Sequence, residues 1–276
     1  MKVINKLGNG IGKKILILSG VHGNELTPIY TTYLLNQMSF NSINVGEITI
    51  LPTLNIHGIE QNTRNKPSDS YGGDINRALV FEEDKFSIDK LKKYIDDSDV
   101  VIDIHSSPDC TEFVLLNQNE YTDSYVEFCE KNNINYLIRY SNTNTIKKYC
   151  LDGNKTTFTI EINGINKIDP LSARVATSIV MNILDGINEF IPEKRTPTNP
   201  TYKEYYTYHS GIFIPFNNTG TIISKGDEIG MVINLRTFEE TRIVFDDEEK
   251  HRIITFNDSD YVSGNIPICL LQKIKK

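Results

Sequence analysis

Short apolar runs alternate with helical segments along the first two thirds of the chain, and this alternation limits the fold more than any other feature. Four runs are typical of buried strands: "KKILILSG" (13–20), "EITILP" (47–52), "DVVIDIHSS" (99–107) and "TTFTIEIN" (156–163). Helical patterns follow at 29–38, 87–97 and 169–190, and we expect Thr27 and Pro28 to begin the first of them. Strands alternating with helices predict an α/β domain with a mostly parallel sheet flanked by helices.

The pattern changes near residue 191. The stretch "IPEKRTPTNP" (191–200) contains three prolines and is typical of a linker. Short alternating runs such as "IFIPF", "EIGMVIN" and "HRIITF" follow, separated by Gly, Asn and Asp. They predict a small C-terminal all-β domain. We therefore expect a catalytic α/β domain at 1–192 and a β domain at 200–276.

Composition narrows the function classes. The net charge is −7 with a pI of about 5.3, which argues against a nucleic-acid partner. Apolar runs fall short of the ~20 residues that span a bilayer, and the N-terminal stretch lacks the apolar core of a secretory signal, so no membrane partner is expected. The four cysteines are widely spaced, which fits a reducing compartment and predicts a cytoplasmic protein.

Polar side chains that can bind a metal follow two of the predicted strands. His22 and Glu25 lie in "SGVHGNELTP", and His105 ends the strand at 99–107. Ligands of open parallel sheets bind outside the carboxyl ends of the strands, so these groups could converge. Catalytic zinc takes three His or carboxylate ligands and keeps one position open for water. The alternative for the H-x-x-E pattern alone is a turn with two solvated side chains.

Four motifs occur in one order along the chain: "GVHGNE" (20–25), "NTRNKPSDSYGGDINR" (62–77), "VIDIHSS" (101–107) and "FTIEIN" (158–163). Together they resemble the succinylglutamate desuccinylase/aspartoacylase family, deacylases of the zinc carboxypeptidase superfamily. The stretch "IFIPFNNTGTIISKGDEIG" (212–230) is similar to the C-terminal β domain of that family. The resemblance implies a zinc-carboxypeptidase-like mixed sheet.

The resemblance also implies a role for seven residues. His22, Glu25 and His105 resemble the ligands of one Zn²⁺ per chain. Arg64 resembles the arginine that polarises the scissile carbonyl, and Glu161 resembles the general base. Asn76 and Arg77, in "DINR", resemble the pair that binds a substrate carboxylate.

The acyl side of the substrate stays open at this point. Aspartoacylase-like enzymes place a further arginine upstream of the general base, and this chain has no matching residue. Lys147, Lys148 and Arg139 are the nearest basic side chains. Without that arginine, the sequence does not favour a dicarboxylate acyl group such as succinyl, and an acetyl or another uncharged acyl group is equally open.

We therefore predict a zinc-dependent amidohydrolase that cleaves the amide of a small N-acyl amino acid or a related N-acyl amine. The alternatives are a metallocarboxypeptidase that acts on peptides, an esterase with the same residues, and a non-catalytic binding protein on the same fold. The predicted β domain favours the deacylase over the carboxypeptidase. Homo-oligomer formation and the choice among Zn²⁺, Mn²⁺ and Co²⁺ are not fixed by the sequence.

Overall fold

A computed structural model describes residues 2–65, 73–78, 85–108, 110–117, 123–139, 145–192, 202–257, 261–263 and 266–274. The chain forms two compact units. The first contains residues 1–107 and 112–198, and the second contains residues 108–111 and 199–276. The predicted linker at 191–200 lies outside the described residues from position 193 onward.

The described residues of the first unit form one seven-stranded sheet. Its strands are β1 (Ile4–Leu7), β2 (Ile15–Leu18), β3 (Glu47–Leu51), β4 (Val100–Ser107), β5 (Phe113–Asn117), β6 (Tyr136–Arg139) and β7 (Thr156–Asn163). They lie in the order β1-β3-β2-β4-β7-β5-β6. The central strands β3, β2, β4 and β7 are parallel, and β1 pairs antiparallel with β3 at one edge. The β5–β6 pair is parallel internally but runs antiparallel to β7. The sheet is therefore mixed and mostly parallel.

Seven helices belong to the described part of the first unit: α1 (Leu26–Gln37), α2 (Ile56–Gln61), α3 (Ile75–Ala78), α4 (Lys85–Asp96), α5 (Asp123–Lys131), α6 (Ile146–Asp152) and α7 (Pro170–Gly186). One face of the sheet shares a hydrophobic core with α1, α5 and α7. The other face shares a core with α4 and α6. Both faces are therefore covered, as the continuous burial of the β2 sequence "ILIL" requires.

The alternation of side chains along β4 and β7 decides which residues face the site. Ile102 and Ile104 pack with α1 and α7, so Asp103 and His105 point to the opposite face. On β7, Thr159 and Glu161 point to that same face. The two strands pair in register, with Asp103 opposite Thr159 and His105 opposite Glu161.

Two expectations about local structure were wrong. Helix α1 begins at Leu26 with Glu25 at its N-cap, two residues earlier than the expected helix that begins at Pro28 after a Thr27 cap. Pro28 fits inside the first turn because backbone N–H groups there have no intrahelical acceptor. Residues 53–76 are polar and rich in Asn, Gly, Pro and Asp, a composition that predicts one long loop, but the stretch contains α2 and the start of α3. Asn55 caps α2 by accepting a hydrogen bond from the Gly58 N–H.

The described residues of the second unit form two four-stranded antiparallel sheets. Its strands are β8 (Tyr202–Tyr206), β9 (Gly211–Pro215), β10 (Ile222–Ile223), β11 (Glu228–Ile233), β12 (Glu240–Val244), β13 (His251–Phe256), β14 (Tyr261–Val262) and β15 (Pro267–Lys273). One sheet has the order β10-β13-β15-β8 and the other β12-β11-β9-β14. Residues of both sheets share a single hydrophobic core. The predicted fold class, a mixed α/β sheet followed by a small all-β part, is confirmed.

Among the described residues, none of the helices combines the length and the apolar character that crossing a membrane would require.

Candidate functional site

The loop after β2 brings His22 and Glu25 to the carboxyl end of the sheet. Gly23 lies so close to α2 that a Cβ atom there would be 2.1 Å from the carbonyl carbon of Gly58. The Gly23 N–H donates to the Arg64 carbonyl at 3.0 Å. Only glycine allows this approach, because a side chain would displace the neighbouring backbone. The glycine beside His22 therefore joins the loop to the segment that carries Arg64.

His22, Glu25 and His105 form a buried cluster, and one ligand atom from each lies within 4.8 Å of the others. The His22 Nδ1 atom is 2.6 Å from Glu25 Oε1. The His105 Nδ1 atom is 3.2 Å from Glu25 Oε2 and 3.2 Å from His22 Nδ1. All three residues are at most 4% exposed. The structure thus brings together the three residues that the sequence predicted as metal ligands.

The chemistry and spacing of this cluster fit a small divalent metal. Two imidazole nitrogens and a carboxylate are the ligand types that zinc prefers in catalytic sites. Tetrahedral ligands about 2.0–2.2 Å from zinc would lie about 3.3 Å from one another. The Nδ1 atoms of the two histidines are 3.2 Å apart, which is close to that value, and the two Glu25 oxygens lie 2.6 Å from His22 and 3.2 Å from His105. The cluster could therefore hold one metal ion with little rearrangement.

The Glu25 carboxylate is the negative centre of the cluster. Burial alone would raise its pKa, but the adjacent His105 and His22 outweigh burial and hold the pKa of Glu25 far below its ordinary value. The Ser106 N–H donates to Oε2 at 2.9 Å, and Arg64 donates to Oε1 at 3.2 Å. Glu25 is therefore ionised at neutral pH, which is the form that binds a metal.

The pKa of His105 depends on its carboxylate neighbours. Burial by itself would lower it, but the Asp103 and Glu25 carboxylates raise the pKa well above its ordinary value. Asp103 Oδ2 lies 2.8 Å from His105 Nε2. In the absence of a metal, His105 is accordingly a strong base at the centre of the cluster.

Arg64 follows α2 and lies at the rim of the cluster. Its carbonyl accepts hydrogen bonds from Gly23 and from the Asn55 side chain, the latter at 3.1 Å. Its side chain is 46% exposed and donates to the buried Glu25. A guanidinium that is anchored by its backbone and partly exposed can contact a molecule that enters the site.

Asn76 and Arg77 lie on the short helix α3. Arg77 forms an ion pair with Asp74, and its side chain remains 45% exposed. The Asn76 side-chain oxygen accepts a hydrogen bond from the Ile146 N–H at 3.0 Å, so α3 is attached to the start of α6. Asp74 also contacts His22 Nε2 at 3.3 Å. Burial would raise the pKa of Asp74, but His22 and Arg77 lower it to about 2.

Glu161 lies beside His105 on the neighbouring strand. Ser107 donates its hydroxyl hydrogen to Glu161 Oε2 at 2.9 Å. Burial raises the pKa of Glu161 above its ordinary value, although His105 and the Ser107 hydrogen bond oppose that effect. A carboxylate with a raised pKa accepts a proton more readily, which suits a general base.

One pocket of about 240 Å³ is lined by all seven predicted site residues. Eight further residues complete its lining: Asp103, Ser106, Ser107, Leu115, Leu116, Thr145, Lys147 and Thr159. Lys147, one of the three basic residues nearest to the general base in the sequence, lines this pocket, and its ammonium donates to the Leu115 carbonyl at 2.5 Å. Lys148 instead pairs with Asp152, and the side chain of Arg139 lies outside the described residues.

Among the described residues, three side chains that contact the side chains of predicted site residues were not identified from the sequence. Asp103 and Asp74 each contact the Nε2 atom of a cluster histidine, and Ser107 donates to Glu161. A period of two along β4 could have identified Asp103, because residues 103 and 105 share a face of the strand. Asp74 stands two residues before Asn76 in "DINR", but nothing in that spacing predicts a contact with His22.

Comparisons with known proteins identify the family and support the fold. The succinylglutamate desuccinylase/aspartoacylase catalytic domain matches residues 11–187 of the chain. No match was found among curated proteins. The fold is similar to that of several solved structures, each covering 99% of this chain.

Three of these structures represent the group. An aspartoacylase family protein from Mesorhizobium loti has a TM-score of 0.73 at 19% identity, over 89% of its own chain. A succinylglutamate desuccinylase/aspartoacylase from Rhodobacter sphaeroides has a TM-score of 0.72 at 16% identity, over 88% of its chain. The product-bound ectoine utilization protein EutE (DoeB) from Ruegeria pomeroyi has a TM-score of 0.71 at 17% identity, also over 88%. With identities this low, the structures establish the fold, whereas the family is established by the match over residues 11–187. The chain belongs to the succinylglutamate desuccinylase/aspartoacylase family.

Proposed function

We propose that this protein is a zinc-dependent deacylase that hydrolyses the amide of a small N-acyl amino acid or a related N-acyl amine. The observation that carries the proposal is the common pocket, whose walls hold the His22/Glu25/His105 cluster together with Arg64, Asn76, Arg77 and Glu161. We assign the chemistry to the α/β domain at residues 1–192. The family membership supports a deacylase.

The metal would be held by the Nδ1 atoms of His22 and His105 and by the Glu25 carboxylate. When bound, a divalent metal supplies Lewis acidity and makes a water-derived nucleophile available near neutral pH. The histidines must be neutral and the glutamate ionised to bind it. Glu25 meets that requirement because its pKa lies far below its ordinary value.

Glu161 is proposed as the general base. Its carboxylate would accept a proton from the attacking water and later deliver it to the leaving amine nitrogen. The Ser107 hydroxyl holds one carboxylate oxygen, Oε2, and thereby limits the rotation of the side chain. A base that is fixed in this way, with a pKa raised by burial, can transfer protons without first reorganising.

Arg64 is proposed to stabilise the negative charge that develops on the carbonyl oxygen. The guanidinium is always protonated, and its backbone is anchored by Gly23 and Asn55. One of its nitrogens is engaged by Glu25, which orients the side chain beside the cluster. Preorganised positive charge of this kind stabilises a tetrahedral transition state more than it stabilises the planar substrate.

Arg77 and Asn76 are proposed to bind a substrate carboxylate. The planar guanidinium offers paired donors that match the geometry of a carboxylate. Asp74 fixes Arg77 from one side, and the Ile146 N–H fixes the amide of Asn76 through its oxygen. With its carboxylate bound by Asn76 and Arg77, the substrate would extend its scissile amide toward Glu161.

A substrate panel tests the proposal. The zinc-loaded protein would be given N-acetyl, N-succinyl and N-formyl amino acids, matched esters, and dipeptides with a free C-terminus, and amine or alcohol release would be measured. We expect amine release from an N-acyl amino acid, which a chelator abolishes. Release from dipeptides alone would indicate the carboxypeptidase alternative, and release from esters alone would indicate an esterase.

A further inference from the structure

Two aspartates contact the cluster histidines on the side that faces away from the other ligands, and their surroundings differ. The Asp74 carboxylate contacts three groups: His22, the Asn76 N–H and Arg77. Asp103 Oδ2 is 2.8 Å from His105 Nε2, and its other oxygen, Oδ1, is buried without a hydrogen-bond partner in the described part of the chain. The negative charge of Asp103 is therefore directed at a single imidazole.

This contact fixes the proton of His105. Asp103 is 2% exposed, and an ionised carboxylate can only accept hydrogen bonds. A distance of 2.8 Å therefore requires the hydrogen on Nε2 of His105. When His105 is neutral, as metal binding requires, Nε2 carries its single hydrogen, and the lone pair is on Nδ1, which lies 3.2 Å from His22 and 3.2 Å from Glu25.

The backbone leaves Asp103 little freedom to make any other contact. Residues 103 and 105 share one face of β4, and β4 is a central strand whose residues are buried from Val100 to Ser106. A buried charge that lost its hydrogen-bonded partner would be costly. The strand geometry and the burial of the carboxylate thus favour the same arrangement.

We propose that Asp103 is a positioning residue that holds His105 in the Nε2–H tautomer and thereby sets the affinity of the cluster for its metal. The inference rests on the proposed metal site, but it concerns metal binding and not the reaction. Second-sphere carboxylates of this kind orient the ring and increase the basicity of the ligating nitrogen.

The first test is a D103N substitution in the full chain, with zinc affinity measured by competition against a chromophoric chelator. The amide of Asn has a similar size but no charge, so we expect affinity to fall by about 10–100-fold. The matched control is Thr159→Val. Thr159 lies opposite Asp103 in register on β7, lines the same pocket and is also buried. Its hydroxyl has no hydrogen-bond partner within the described ranges, so zinc affinity should be unchanged in this variant.

A second measurement does not depend on a variant that folds. ¹⁵N NMR of the zinc-loaded wild-type protein reports which nitrogen of each histidine carries hydrogen. We expect His105 to carry it on Nε2. A His105 ring with hydrogen on Nδ1, or D103N with wild-type zinc affinity, would overturn the inference.

These measurements are made without substrate, so they separate the inference from the proposed reaction. A protein that binds zinc in the expected manner but hydrolyses no acyl compound would overturn the deacylase proposal alone. A wild-type protein that binds no divalent metal would overturn both.

Discussion

Replacing Glu161 by Gln removes a base while leaving the shape of the pocket nearly unchanged. The Gln amide oxygen can still accept the hydrogen bond that Ser107 now donates to Oε2 at 2.9 Å. The metal ligands and Arg64 are not altered. The substitution therefore isolates the proton-transfer role that we assign to Glu161.

The expected loss of rate in E161Q equals the contribution of general-base catalysis. General-base catalysis contributes about 10²–10⁴-fold to a rate. At 1.36 kcal/mol per tenfold, the loss corresponds to about 3–5 kcal/mol in the activation free energy. The loss should appear in kcat, because Glu161 is assigned no role in binding the ground state of the substrate.

The assay is steady-state amine release from the best substrate of the panel, with bound zinc measured in the same samples. Glu189→Gln provides the matched control, since the Glu189 side chain is exposed and forms an ion pair with the equally exposed Lys131. That control should keep full activity. An E161Q protein with full zinc that retains more than about one tenth of the wild-type kcat would refute the assignment of Glu161 as general base.

Four further predictions concern the other parts of the site and the fold. Arg77→Lys keeps the positive charge but loses the paired N–H donors of the guanidinium, so KM for a carboxylate substrate should rise about tenfold in steady-state kinetics. Zinc affinity, measured by chelator competition, should be unchanged. An unchanged KM would contradict the proposed role of Arg77 in binding the substrate carboxylate. Zinc affinity should fall as the pH is lowered below neutral, because His105, whose pKa lies well above its ordinary value, must lose a proton to bind the metal; pH-independent binding would exclude His105 as a ligand. In metal-free protein, E161Q should raise Tm at neutral pH and should leave it unchanged at about pH 4. Because folding raises the pKa of Glu161, the side chain ionises at a lower pH in the unfolded chain than in the folded protein, and the folded protein loses stability as the pH rises. Gln removes this loss, so its benefit should vanish at a pH where Glu161 is protonated in both states. Asp169→Ala should lower the free energy of unfolding by about 1 kcal/mol, because the Asp169 side chain accepts hydrogen bonds from the N–H groups of Leu171 and Ser172 at the start of α7. Asp169→Asn should retain most of that stability, and urea titrations of both variants would measure the difference.

The sequence predicted the sheet well because its central strands carry a strong local signal. The "ILIL" run of β2 and the apolar runs of β4 and β7 are buried on both faces, and few other structures accommodate such runs. Weak or non-local features were missed. β1 has alternating exposure and gains its place only by pairing with β3. The antiparallel direction of β5 against β7 is a tertiary property that no local pattern encodes.

In the site, too, the residues in local motifs were predicted from the sequence, whereas the contacts that depend on tertiary structure were missed. Motifs in chain order pointed to His22, Glu25 and His105, and the structure brings these three together. The contacts that tune them depend on register and on distant packing. Asp103 reaches His105 because both lie on one face of β4, whereas Asp74 reaches His22 across 52 positions of the chain. Helix α6, which attaches to Asn76 and carries Lys147 into the pocket lining, is too short for its pattern to be recognised.

The most direct test of the central claim is a zinc titration of metal-free protein in which bound zinc and amine release are measured together. We predict that release rises in proportion to bound zinc and reaches its maximum at one zinc ion per chain, and that His22→Ala and His105→Ala variants neither bind the ion tightly nor release amine. Amine release from protein without metal, or full release after loss of either histidine, would contradict the assignment of this cluster as the catalytic metal centre.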